Sequence, residues 1–97
     1  MTTTISDDSF PSPTTLQNAT KIAIKEDKPI MLDYWTFSLE KKAMIGVKKT
    51  GEKLLVKSDE EYTSSISKIY QSANELIILT ENSIYLVSAS IPKRSIT

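Results

Sequence analysis

The chain has 97 residues and a mass of 10.9 kDa, which leaves room for one domain. Its 39% hydrophobic and 25% charged residues form a globular balance, which excludes a collagen-like or wholly disordered chain. Twelve basic side chains cancel twelve acidic ones and there is no His or Cys, so disulfides, thiolate zinc sites, imidazole bases and Ser-His or Cys-His nucleophile pairs are excluded, and no global field steers the chain to nucleic acid. No run approaches the roughly 18 apolar residues that cross a bilayer. Met1 to Ser6 lacks the basic-then-apolar order of a secretory signal, so the expected setting is cytoplasmic, with no membrane partner.

Met1 to Ala19 is rich in Thr, Ser, Pro and Asp with no sustained apolar period, and reads as a flexible tail. Within it, Phe10 between polar residues and prolines is a candidate docking side chain. From Thr20, Ile22 and Ile24 alternate with polar or small residues and suggest a strand, ended by Glu26 to Pro29. Ile30 to Phe37 reads as a second strand with both faces partly buried. Ala43, Ile45 and Val47, a Gly-containing turn over Lys49 to Glu52, and Leu54 with Val56 give a hairpin. Ser58 and Glu61 match a capping box, so one helical turn is expected near Asp59 to Tyr62; the helix-poor Thr63, Ser64, Ser65 and Ser67 then lead into a strand over Ile66 to Tyr70. Turns at Asn74 with Glu75 and at Glu81 with Asn82 bracket strands over Leu76 to Thr80 and Ser83 to Ala89, and Ile91 to Thr97 reads as a short tail.

Short strands joined by tight connections leave little space for parallel crossovers. The expected fold is therefore all-β, or mostly β with one short helix: a small antiparallel meander, a rolled sheet or an SH3-like small barrel spanning residues 20–90, flanked by tails over 1–19 and 91–97. Leu76 to Val87 resembles one hairpin of a propeller blade, with no internal repeat to supply other blades. The stretch KPIMLDYW, Lys28 to Trp35, resembles the core strand that leads to the active site in thioredoxin-like proteins. That family's Cys-x-x-Cys pair has no counterpart in Thr36 to Glu40, so its redox chemistry is not carried over.

Tyr34, Trp35 and Phe37 place three of the seven aromatic residues within four positions. Such rings either line a groove for a peptide, a methylated Lys or a stacked base, or fill a small core. Between Lys41 and Lys57 six Lys face one acidic residue, Glu52. Lys48, Lys49, Lys53 and Lys57 are the phosphate-binding candidates of that hairpin, which a solvated, aggregation-resistant surface explains better. Asp59, Glu60 and Glu61 suit a helix start better than a cation site. Asn18, Ala19 and Thr20 form a glycosylation sequon.

Neither a cofactor, a metal site nor a catalytic constellation emerges, and the expected function is a non-enzymatic protein-interaction module using Tyr34, Trp35, Phe37 and Phe10. Its size and make-up are those of many phage or viral accessory proteins and virion components. The alternative is a nucleic-acid-binding small barrel with the Lys hairpin on phosphates and Tyr34 or Trp35 as stacking platform.

Overall fold

A computed structural model describes residues 10–96. They form α1 (Pro13–Glu26), β1 (Ile30–Met31), α2 (Trp35–Leu39), β2 (Met44–Val47), β3 (Lys53–Val56), β4 (Tyr62–Ser72), β5 (Glu75–Thr80), β6 (Ile84–Ser88) and β7 (Lys93–Ser95). The seven strands make one sheet in the order β1-β6-β5-β4-β3-β2-β7. The chain is mostly β, as expected, and β2 to β6 are the expected antiparallel meander. The end strands differ from it, because β1 joins β6 and β7 joins β2 in parallel.

The Ser/Thr run of β4 explains how the sheet rolls. Between the pairs Leu54 with Ser65 and Val56 with Tyr62, β4 carries an extra residue, and the Thr63 hydroxyl accepts from the Leu55 N–H at 3.1 Å. Between Ile66 with Thr80 and Lys68 with Leu79 it carries another, and the Ser67 hydroxyl donates to the Leu79 carbonyl at 3.1 Å. A bulge leaves ladder groups unpaired and bends its strand, and these hydroxyls supply the missing partners. Residues from both halves of the sheet consequently meet in one core, formed by Ala43, Ile45, Leu55, Ile78, Val87, Ile91 and Tyr34.

The opposite face of β5 and β6 presents Ile77, Leu79, Ile84 and Leu86, covered by Ala19 of α1 and by Trp35. The expected strand over Ile22 and Ile24 is corrected to helix, and the expected boundary at Ala19 falls inside it. Ser12 caps the helix by accepting from the Thr15 N–H at 3.3 Å, Pro13 occupies the first turn, and Asp27 ends it in the left-handed region at φ 54°. The buried stripe is Thr15, Ala19, Ile22 and Ala23, a helical spacing in which one member is polar and two are small. Met1 to Ser9 lie outside the described residues, as does Thr97.

The expected strand over Ile30 to Phe37 also resolves differently. Pairing stops after Met31; a turn closed by Trp35 N–H on Leu32 C=O at 3.1 Å follows, and Trp35 then opens a helix whose first turn is closed by Ser38 N–H on Tyr34 C=O at 3.0 Å. Tyr34 and Trp35 are neighbours serving opposite cores, which requires the chain to turn round the sheet's end instead of running along it. The thioredoxin-like stretch thus supplies a two-residue end strand, not a central one. No helix forms near Asp59: the Ser58 hydroxyl accepts from Glu60 and Glu61 N–H groups in a tight turn, and β4 starts at once. In the β4–β5 turn it is Ala73, not Asn74, that takes the positive φ. The C-terminal segment is β7 and not a tail.

Candidate functional site

Two features stand out on this frame: an aromatic cluster that is closed, and a sheet end that is open. In the cluster, the Tyr34 and Tyr85 rings meet edge to face with centroids 5.3 Å apart. The Lys57 ammonium lies 4.5 Å from the Tyr34 ring centroid and 4.8 Å from that of Phe37. It also pairs with Asp33 at 3.6 Å and Glu61 at 3.8 Å, and only 12% of its side chain is exposed. Burial pushes the Tyr34 hydroxyl up to about 12, helped by Tyr85, Asp33 and Glu61; burial and Asp33 raise Tyr85 against an opposing hydrogen bond from Ser83. Both phenols therefore stay protonated near neutrality.

This arrangement sorts the residues singled out in the sequence. Tyr34 and Trp35 are core at 5% and 6% exposure, so neither can stack a base or grip a peptide in this conformation. Phe37 is 39% exposed but carries Lys57 on its ring, and that ammonium occupies the place a methylated Lys would need. Phe10 is 46% exposed and borders an open cleft shared with Trp35 and Leu39. Of the phosphate-binding candidates, Lys57 is withdrawn into the cluster and Lys48 pairs with Glu52 at 3.8 Å, while Lys49 is exposed and Lys53 half-buried. Asn18 of the sequon donates to the Ser72 hydroxyl at 3.0 Å on the inward side of α1. The described residues contain no group of three or more acidic side chains placed to share a cation.

The open feature is β7. Ile45 N–H donates to Pro92 C=O at 2.9 Å and Ile96 N–H donates to Val47 C=O at 3.1 Å, so Pro92 and Ile96 turn their backbone groups toward β2. The period of two along a strand turns Arg94 inward as well and points the N–H and C=O groups of Lys93 and Ser95 away from the sheet. Among the described residues no strand lies beyond them, and all three residues of β7 are exposed. Arg94 and Ile96 share the face of Gly46, where the Ile96 side chain lies over the glycine.

Sequence reasoning missed this edge because the basic hairpin and Lys93 with Arg94 are far apart in the chain. The parallel pairing of β2 and β7 unites them, and Arg94 joins Lys41 and Lys42 around an open cleft of about 400 Å³. The sequence's only Arg thus does stand in the basic patch. The local signal was the extended Ile91-Pro92 step before three polar residues, a pattern that a strand end and a tail share.

Comparison with family models, curated proteins and solved structures finds no match for this chain.

Proposed function

We propose that this chain is a non-enzymatic protein-interaction module that accepts an extended segment of its partner alongside β7. The observation that carries the reading is the outward row of Lys93 and Ser95 backbone groups on an exposed end strand. Main-chain hydrogen bonds to such an edge supply affinity in strand addition, and the flanking side chains select the partner. The opposite end, β1, has two residues and turns at once into α2, so it offers a shorter template. A non-enzymatic role is supported by a sequence lacking Cys and His. A cytoplasmic setting is part of this proposal and is supported by a sequence without Cys.

The nucleic-acid reading gains Arg94 beside Lys41 and Lys42. It loses Lys57 to the aromatic cluster and both proposed stacking platforms to the core, which leaves it second.

Ser95→Pro tests the proposal. It deletes an outward N–H and leaves the inward groups of Arg94 and Ile96 to hold β2. Tagged wild-type and Ser95→Pro chains, purified from the native host and compared by quantitative mass spectrometry, are expected to differ in at least one recovered protein, with equal melting temperatures. Identical recoveries would contradict strand addition.

A further inference from the structure

Resting on the strand-addition reading, we infer that the segment β7 accepts is acidic. The inference comes from Lys93 and Arg94 on the edge itself, with Lys41 and Lys42 around the adjoining cleft, whose lining holds one carboxylate, Asp59. No ion pair links Lys41, Lys93 or Arg94 to a carboxylate among the described residues. Lys42 pairs with Glu40 at 3.6 Å, and both are exposed. A second copy of this chain is a poor occupant, because pairing β7 with β7 sets Lys93 and Arg94 of one copy against those of the other. The charge that blocks self-association favours a strand of opposite sign.

A displayed library of random peptides of about ten residues, the upper length of ordinary strands, probes this without presupposing a partner. Selection at about 150 mM salt is run on the wild type, on Ser95→Pro and on the Lys93→Glu/Arg94→Glu double variant, each first shown to melt as the wild type does. The wild type is expected to enrich acidic peptides, binding about tenfold or more weaker to the double variant and lost from Ser95→Pro. Neutral or basic peptides that are lost from Ser95→Pro would overturn the acidic partner and leave strand addition standing. Peptides indifferent to Ser95→Pro, or no enrichment on the wild type, would overturn both. A labelled single-stranded oligonucleotide that binds more tightly than any selected peptide, and is released by the double variant, would replace the partner class with nucleic acid.

Discussion

A Cβ added to Gly46 would lie 2.8 Å from both Cδ1 and Cγ2 of Ile96, so the glycine is the seat on which the end of β7 rests. Two strands in parallel register share side-chain faces, and the bare Gly46 lets Ile96 lie over β2, where Cγ2 of Val56 on β3 would also stand 3.2 Å from such a Cβ. Gly46→Val should lift Ile96, cost about 1–3 kcal/mol and speed exchange of the Ile96 amide. Urea denaturation with amide exchange checks this. Unchanged stability and exchange would mean that β7 is held by its ladder alone.

Lys57 ties Tyr34 and Phe37 to the acidic rim of Asp33 and Glu61. Lys57→Met keeps the aliphatic stem over the rings and removes the charge. The expected loss is about 1 kcal/mol, because a cation over aromatic faces is worth roughly 0.5–2 kcal/mol while the two carboxylates are exposed enough to rehydrate. Lys57→Glu should cost more, since it gathers three carboxylates. Chemical denaturation of the two variants gives the comparison, and equal losses would show that packing, not charge, dominates.

The raised Tyr34 hydroxyl makes stability depend on alkaline pH. The unfolded phenol ionises near its ordinary value of 10.0 and the folded one near about 12, so between them the unfolded chain has released a proton that the fold retains. Stability is full below pH 10 and falls as pH rises toward 12, by on the order of 2 kcal/mol from this group. Tyr34→Phe keeps the ring contacts and should flatten that part of the profile. An undiminished alkaline decline in Tyr34→Phe would assign the effect elsewhere.

Removal of residues 1–19 deletes the Ser12 cap, the buried Thr15 and Ala19, and the contacts of Thr15 with Ser72 C=O at 2.9 Å and Glu75 at 2.6 Å. Each kcal/mol lost is worth about 4–8 °C in a domain of this size, so the melting temperature should fall by well over that interval. The single change Thr15→Val, which leaves Glu75 without this donor, should cost about 1–3 kcal/mol. Thermal melts that match the wild type for both proteins would show that α1 is dispensable.

What the sequence revealed and what it hid have physical causes. The β2–β3 hairpin and the β5–β6 pair were legible because Ile45, Leu55, Ile78 and Val87 alternate with the residues of the other face. Helix α1 was hidden because Ile22 and Ile24 mimic strand alternation, although Ile24 points to solvent and the real stripe runs through Thr15 and Ala19. The aromatic run at Tyr34 and Trp35 left groove and core open in the sequence; both rings are buried, in opposite cores, since consecutive side chains of a turn can serve two faces of one sheet. The candidate edge was not legible at all: three polar residues at a chain end become a strand only when β2 offers them a ladder, a contact between segments over forty residues apart.

Amide hydrogen exchange at single-residue resolution tests the central claim most directly, on the free protein and on its complex with a bound partner or selected peptide. The account predicts that in the free protein Arg94 and Ile96 amides are protected by β2 while Lys93 and Ser95 exchange freely, and that binding protects Lys93 and Ser95. Lys93 and Ser95 amides that are slow in the free protein, or that stay fast in the complex while protection appears only elsewhere, would contradict it.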